Sequence, residues 1–124
     1  MIERLKKRRD FLAAAKGTKA PRRAFVLEAC RREDDGPARF GFTVSKRAAK
    51  KAVERNRIRR RLKEAVRLAG PGRIRAGCDY VVVGRRSALT DDFAALQADL
   101  AGALAQTPRG FHLRQRGEAP SSSR

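Results

Sequence analysis

The chain has 124 residues, and its 31 Lys and Arg against 13 Asp and Glu give a formal net charge of +18 at pH 7. This length suits one domain with a single core and is too short for two, while 41% hydrophobic residues exclude a merely disordered basic tail. So large an excess of positive charge predicts salt-sensitive binding to the phosphate backbone of a nucleic acid.

The sequence does not carry the patterns of a membrane, secreted or metal-binding protein. No segment approaches the ~18 consecutive apolar residues of a membrane-spanning helix, and no apolar run follows the basic N-terminus as it would in a signal peptide. Cys30 and Cys78 are the only cysteines and His112 is the only histidine, and none lies at metal-ligand spacing. We therefore expect a cytoplasmic protein with two buried, reduced thiols and no metal site of its own.

Hydrophobic periodicity predicts six secondary-structure elements after a basic lead-in at residues 1–9, which we expect to be poorly ordered until an anion binds. Asp10 caps a short helix that ends at Gly17. Two strands, a long helix, a third strand and a last helix follow at 23–31, 39–45, 52–69, 78–83 and 90–106. We thus predict one domain over residues 1–106 and a disordered basic tail over 107–124.

The strands at 23–31 and 39–45 are separated by the turn sequence Glu33-Asp34-Asp35-Gly36-Pro37. This arrangement predicts an antiparallel hairpin. In the second strand Phe40, Phe42 and Val44 alternate with small residues, which predicts one face covered by helices and one open face that a nucleic acid could approach.

The long helix combines an apolar stripe with a crowded basic face. The stripe has the i, i+4, i+7 spacing of a helix packed on a core, and its members are Ile58, Leu62, Ala65, Val66 and Ala69. Like charges lie four residues apart, as in Arg55 with Arg59 and Lys63 with Arg67, at a cost of about 0.2–0.5 kcal/mol a pair. A solvated charged face is the simplest explanation of basic residues, but this crowding favours a surface that a polyanion neutralises.

The strand at 78–83 is continuously apolar and β-branched after Asp79, which is typical of a central strand covered on both sides. The long helix connects it to the strand at 39–45, so these two strands are expected to be parallel neighbours. The last helix has Asp91 and Asp92 in its first turn. The predicted fold class is α/β (α+β), a two-layer sandwich with about four strands and three helices.

Three motifs together resemble the bacterial ribonuclease P protein component. They are Phe42-Thr43-Val44-Ser45-Lys46-Arg47, the Arg-Asn-Arg run Arg55-Asn56-Arg57-Ile58-Arg59-Arg60, and Asp79-Tyr80-Val81-Val82. The resemblance covers nearly the whole chain. It implies a ribosomal-protein-like sandwich with a left-handed βαβ crossover, contrary to the usual hand.

The resemblance also implies partners and a site. The family's protein binds the catalytic RNA subunit of ribonuclease P, and a cleft between its first helix and the sheet holds the 5′ leader of precursor tRNA. The RNA, with magnesium, cleaves the leader, so no catalytic residue is expected in this chain. The RNA-binding residues implied by the match and by the charge pattern are Lys46, Arg47, Lys50, Lys51, Arg55, Asn56, Arg57, Arg59, Arg60, Lys63 and Arg67.

Phe11 and Val26 match the family's leader cleft, although the sequence pattern alone leaves Phe11 between a core and a surface role. Two departures concern the same cleft. Ala15 and Glu28 stand where some members of the family have aromatic residues. A carboxylate at position 28 would repel a leader phosphate if it faced the cleft, which predicts looser binding of the leader.

Other functions fit the sequence less well. A stand-alone nuclease usually needs clustered carboxylates or a paired general acid and base, and here the acids are scattered among helix starts and a turn. A structural ribosomal-RNA-binding protein without a processing role is the alternative that composition and fold class leave open. A membrane-active amphipathic helix is disfavoured because the apolar stripe is sparse and suits a core.

Overall fold

The computed structural model describes residues 2–116, with side chains for residues 2–107. Its five strands are β1 (Ile2–Arg4), β2 (Thr18–Pro21), β3 (Phe25–Arg31), β4 (Ala38–Val44) and β5 (Cys78–Gly84). Its three α-helices are α1 (Arg8–Ala15), α2 (Ala52–Ala69) and α3 (Phe93–Arg116), with a 3₁₀ helix at Arg86–Leu89. The predicted α+β class with three helices is confirmed, with five strands in the sheet rather than four.

The strands form one mixed sheet in the order β1-β4-β5-β3-β2. β1, β4 and β5 run parallel, whereas β3 is antiparallel to β5 and β2 is antiparallel to β3. β5 is therefore the central strand, as its apolar run predicted. β4 and β5 are parallel neighbours joined through α2, so the predicted crossover is confirmed, while its left hand stays a prediction.

The predicted hairpin between β3 and β4 is wrong, because β5 lies between these two strands. Their connection at 32–37 passes across the start of β5, where Arg32 N–H donates to Gly77 O and Gly77 N–H donates to Gly36 O, both at 2.7 Å. Gly77 has a φ of +79°, which favours glycine. A loop of this length spans the ~10 Å between strands two positions apart, and β5 takes the middle because both its faces are apolar.

The two faces of the sheet are covered unequally. α2 and α3 bury the main core, in which the Phe40 and Tyr80 rings stack with their centroids 4.7 Å apart. Within the described residues, the other face carries only α1, which buries a small cluster around Leu5, Ala14 and Val81. The predicted contrast between a covered and an open face is thus correct in part, since α1 covers some of the second face.

The N-terminal residues are ordered, contrary to the prediction of a flexible lead-in. β1 pairs with β4, Leu5 N–H donates to Phe40 O at 2.9 Å, and the Leu5 side chain is buried. Leu5 is a single buried residue among charged ones, so this segment shows no alternation of apolar and polar residues. The sequence pattern therefore gave no sign that the segment is ordered. α1 begins at Arg8 with Lys7 as its N-cap residue, so Asp10 lies in the first turn and does not cap the helix.

α3 differs from its prediction at both ends. It begins at Phe93, and Asp92 Oδ2 accepts a hydrogen bond from Ala95 N–H at 3.3 Å, so the aspartates precede the helix and do not form its first turn. It continues to Arg116, past the predicted domain end at residue 106, because extending a helix that is anchored on a core costs little. The remainder of the predicted tail, 117–124, lies outside the described residues.

Within the described part, none of the helices has the length and apolarity needed to cross a membrane.

A cluster of charged side chains, here called the Asp79 cluster, joins α1, β4, β5 and the 32–37 loop. The buried carboxylate of Asp79 accepts hydrogen bonds from Arg32 Nη1 at 2.6 Å and from Arg39 Nε and Nη2 at 2.8 and 2.7 Å. Arg32 also binds Asp34, which lowers the pKa of that carboxyl below its usual range. Arg39 Nη2 lies 3.4 Å from Asp10 Oδ2 on α1. The cluster therefore links four segments that are separate in the sequence.

Candidate nucleic-acid interface

The apolar stripe of α2 is buried as predicted, and this orientation turns the basic side of the helix outward. All five stripe residues are buried against the sheet and α3. α2 packs closely against Gly84 of β5. A Cβ atom added at this glycine would lie 2.8 Å from Ile58 Cγ2 and 3.1 Å from Leu62 Cδ1. α2 is thus fixed in rotation and in depth, so the direction of each arginine follows from the packing of the stripe.

Some basic residues of this surface have no partner within the protein. Arg57 and Arg60 are exposed, and neither makes a hydrogen bond or ion pair with any residue in the part of the chain with described side chains. The same holds for the exposed residues ahead of the helix, which are Lys46, Arg47, Lys50 and Lys51. Their charges are not compensated internally, so they are available to an external anion.

Arg55, which was predicted to bind RNA, holds the loop that precedes the helix. Its Nη1 donates to Ala49 O at 2.9 Å and to Lys50 O at 2.8 Å. The start of the same loop is a turn in which Ala48 N–H donates to Ser45 Oγ at 3.1 Å. Arg55 therefore shapes the backbone that presents the lysines.

The remaining predicted residues of α2 make local contacts. Arg59 Nη1 donates to Asn56 Oδ1 at 2.7 Å, and the Lys63 ammonium lies 5.9 Å from the centre of the Phe42 ring. Arg67 pairs with Glu64 on the surface, which lowers the pKa of Glu64 and raises that of Arg67. Such exposed pairs contribute little to stability.

Arg61 belongs to the fold, although it lies in the same basic run. Its Nη1 donates to Ala88 O and its Nη2 to Asp91 O, both at 2.7 Å, and its guanidinium lies 5.9 Å from the centre of the Phe93 ring. It therefore connects α2 to the segment that leads into α3. The sequence shows only that Arg61 lies beside the stripe, which does not separate a structural arginine from a ligand-binding one.

We expect Arg61→Ala to lower the free energy of unfolding by about 1–3 kcal/mol, because two carbonyl groups lose a charged donor. Arg60→Ala, at the neighbouring position, is the matched control and should leave stability unchanged, since Arg60 is exposed and unpaired. Urea denaturation followed by circular dichroism measures both. Equal stability of the two variants would show that the Arg61 contacts contribute nothing to the fold.

Arg86 is a basic residue that sequence reasoning did not assign to the interface. It lines a groove of about 450 Å³ together with Arg47, Lys50, Lys51 and Glu54, and its Nη1 lies 3.4 Å from Glu54 Oε1. A signal was available, because the parallel strands β4 and β5 end side by side, with Val44 opposite Gly84. The residues that follow both strands must therefore lie at one edge of the sheet.

On the opposite face, α1 leaves a strip of the sheet partly open. The register places Thr43, Val83 and Val26 side by side in this strip. Phe11 borders this strip, and the Phe11 ring lies over Gly41. A Cβ atom added at this glycine would lie 2.5 Å from two carbons of the ring. The structure thus brings Phe11 and Val26, the two predicted cleft residues, to the same face of the sheet.

Glu28 also faces this side, but its charge is compensated. Its side chain is largely buried, and its Oε2 accepts a hydrogen bond from Lys19 Nζ at 2.8 Å, across the pair β2–β3. A paired carboxylate repels a phosphate less than a free one does, so the repulsion inferred from the sequence is reduced. The partner was not identifiable from the sequence because β2 was not predicted.

The described residues offer little to nucleophilic or metal chemistry. Burial and the nearby Asp79 raise the pKa of Cys30 to about 11, and burial also raises the pKa of Cys78, so both thiols are protonated at neutral pH. In the part of the chain with described side chains, no three His, Cys, Asp or Glu residues lie close enough to hold a metal ion.

Comparisons with known proteins agree with this geometry. A family model described as Ribonuclease P matches residues 2–107. A protein of Gluconacetobacter diazotrophicus named "Ribonuclease P protein component" is 49% identical over 98 residues, covering 78% of this chain and 84% of that protein. One of the same name from Caulobacter vibrioides is 46% identical over 104 residues, covering 83% and 69%.

Solved structures share the fold. The RNase P protein of Staphylococcus aureus superposes with a TM-score of 0.66 at 33% identity, covering 82% of this chain and 91% of that one. The RNase P protein of Thermotoga maritima gives a TM-score of 0.69 at 30% identity, covering 84% and 96%.

Proposed function

Because the chain belongs to the ribonuclease P protein family, we propose that it is the protein subunit that binds the catalytic RNA and the 5′ leader of precursor tRNA. In this role it assists removal of the leader to give the mature 5′ end. The observation that carries the proposal is the division of the arginines on α2. Arg55 and Arg61 are used by the fold, whereas Arg57 and Arg60 project outward without a partner beside the lysines of the 45–51 loop.

We propose that the interface for the catalytic RNA consists of the outward side of α2, the 45–51 loop and the groove beside Arg86. The groove gives a phosphate several cationic groups at once, and guanidinium groups bind phosphates through paired hydrogen bonds. Arg59, Lys63 and Arg67 border this surface. Their internal contacts are exposed or weak, so an RNA phosphate can replace them.

The partly open strip bordered by Phe11 is our candidate for the leader cleft. An unpaired leader presents bases that can stack on an aromatic ring and pack against apolar side chains such as Val26 and Val83. The Lys19–Glu28 pair at the edge of the strip reduces the local negative charge, which lets a phosphodiester chain approach. This cleft and the outward side of α2 lie on opposite faces of the sheet and meet at its β1 edge, where Phe11, Arg59 and Lys63 line one cavity of about 430 Å³. One molecule can therefore contact both RNAs.

The cleavage chemistry belongs, in this proposal, to the RNA subunit, and the magnesium ions are held by that RNA and the substrate. The donor set of the chain supports this assignment. Seven of the described carboxylates are each paired with an arginine or lysine, and no three described His, Cys, Asp or Glu residues lie close enough together to hold a metal ion; the paired residues are Asp10, Asp34, Asp79, Glu28, Glu54, Glu64 and Asp91. A carboxylate engaged with a cation is a poor ligand for Mg²⁺, which prefers free oxygen ligands. The protein's contribution is then positioning and charge neutralisation in a cytoplasmic ribonucleoprotein.

Reconstitution tests the proposal. The purified chain is mixed with its cognate catalytic RNA and precursor tRNA at low magnesium, and products are resolved on a sequencing gel. We expect cleavage at the mature 5′ end that neither component gives alone. A ribosomal-RNA-binding protein would bind RNA without this product. Absence of the product, in the presence of saturating RNA binding, would therefore favour the structural role and contradict the proposal.

Phe11→Ala should reduce the preference of the reconstituted enzyme for precursor over mature tRNA. Loss of one base–aromatic stack costs about 1–3 kcal/mol, or about 5- to 150-fold in relative affinity. Leu12→Ala, on an exposed neighbour in the same helix, is the control and should change the preference little. Binding of the two tRNAs is compared by filter retention. If affinity for mature and precursor tRNA falls equally in Phe11→Ala, Phe11 is a packing residue and not a leader contact.

A further inference from the structure

The placement of α1 depends on few contacts. The helix has only 8 residues, and helices shorter than ~12–15 residues are marginal on their own. Its N-cap residue, Lys7, makes no capping hydrogen bond through its side chain. The apolar contacts of Ala14 and the fit of Gly17 against Ala29 hold its C-terminal half. In the first turn, Phe11 is only partly buried, packed on the same cluster and over Gly41.

An ion pair restrains the first turn in addition to the packing of Phe11. Asp10 Oδ2 lies 3.4 Å from Arg39 Nη2, an ion pair that links α1 to β4. The two basic residues of the same turn, Arg8 and Arg9, are exposed. The position of the Phe11 ring over Gly41 is therefore restrained both by its own packing and through the neighbouring residue, Asp10.

Arg39 is a rigid anchor for this contact. Its Nε and Nη2 form a two-point interaction with the Asp79 carboxylate at 2.8 and 2.7 Å, and Asp79 is held in turn by Arg32. A guanidinium fixed at two points has little rotational freedom. Arg39 thus helps to fix the start of α1 relative to the sheet.

We propose that Asp10 is a positioning residue for leader recognition, acting through Arg39 of the Asp79 cluster to hold Phe11 at the border of the cleft. This inference rests on the proposed function, because it assumes that the strip beside Phe11 receives the leader. Asp10 itself does not touch the RNA. Its effect is to fix the width of the cleft before the leader binds, which reduces the entropy lost on binding.

The test uses the reconstituted enzyme with Asp10→Asn, Asp10→Glu and, as matched control, Asp34→Asn. Asp34 is an exposed carboxylate of the same cluster that pairs with Arg32 and not with Arg39. We expect Asp10→Asn to lower the preference for precursor over mature tRNA about two- to fivefold, the range of a partly exposed ion pair. Asp10→Glu should restore most of the preference, and Asp34→Asn should leave it unchanged. Binding of the catalytic RNA should be the same in all three variants.

A double-mutant cycle with Phe11→Ala separates positioning from a general structural role. If Asp10 acts through Phe11, then Asp10→Asn should add no further loss in the Phe11→Ala background. Additive losses would overturn the inference, and so would unchanged hydrogen-exchange protection of residues 11–15 in Asp10→Asn. Lower protection of α1 in Asp10→Asn, with a normal precursor preference in both single variants, would instead locate the failure in the proposed leader cleft. The Asp10–Arg39 ion pair would then stabilise α1, and its role in leader recognition would be refuted.

Discussion

Asp79→Ala is expected to lower the free energy of unfolding by about 3–5 kcal/mol, as much as truncation of a fully buried aromatic core residue. The carboxylate is 3% exposed and lies between two guanidinium groups that are themselves only 13% and 26% exposed. Removal of the carboxylate leaves Arg39 without its main partner in a partly desolvated site, and leaves Arg32 with the exposed Asp34 and backbone carbonyl groups. The loss should appear in urea denaturation as a lower midpoint with an unchanged slope.

The control for this experiment is Asp34→Ala, which removes a second carboxylate that also binds Arg32. Asp34 is exposed, so its pair with Arg32 is screened by water and should contribute little. We expect the two variants to differ clearly in stability. A small loss in Asp79→Ala, comparable to that of Asp34→Ala, would mean that water or Asp34 takes over the role of Asp79, and the Asp79 cluster would then not be a structural anchor.

The sequence predicted elements whose pattern is repeated along several residues. The stripe from Ile58 to Ala69 and the apolar run of β5 each contain enough buried residues to define a period, and both predictions are confirmed. The crossover from β4 to β5 followed from their order and the helix between them. The family resemblance, which rests on motifs in these same elements, is confirmed by the match over residues 2–107.

Short elements and pairing partners were not predictable in the same way. β1 and β2 contain 3 and 4 residues, too few for an alternating pattern, and each exists because a neighbouring strand offers it hydrogen bonds. The incorrect hairpin has the same origin. A turn sequence shows that a chain reverses, but only the tertiary packing of β5 decides which strand lies alongside.

The candidate site was predicted as a set of basic residues, and the structure divides that set by contact. The sequence could not show that Arg55 binds the carbonyls of its own loop or that Arg61 binds the segment before α3. It could not identify Lys19 as the partner of Glu28 either. These distinctions depend on side-chain reach across elements, which composition and spacing do not encode.

Replacing Arg57 and Arg60 together with Ala is expected to weaken binding of the catalytic RNA by about 100-fold or more while leaving the fold intact. Both side chains are exposed and unpaired in the described structure, on the side of α2 away from its buried stripe. Hydrogen bonds from a charged donor to phosphate contribute about 1.5–3 kcal/mol each. If each arginine neutralises one phosphate, the slope of log K against log salt should flatten by roughly 1.4–1.8.

The matched control removes the same number of charges elsewhere. Arg73→Ala with Arg75→Ala takes two exposed arginines from the loop after α2, at the opposite end of the helix from the 45–51 loop. Because Arg73 Nη1 donates to Ala69 O at 2.9 Å, the thermal midpoint of this variant is measured as well. If net charge alone governed binding, both double variants would lose affinity equally. We expect only the α2 variant to lose affinity strongly, since its arginines lie beside the other unpaired cations and act on the same stretch of RNA. A fall in the thermal midpoint of that variant with an unchanged salt slope would show that its arginines support the fold rather than the RNA, which would remove the central support for the interface.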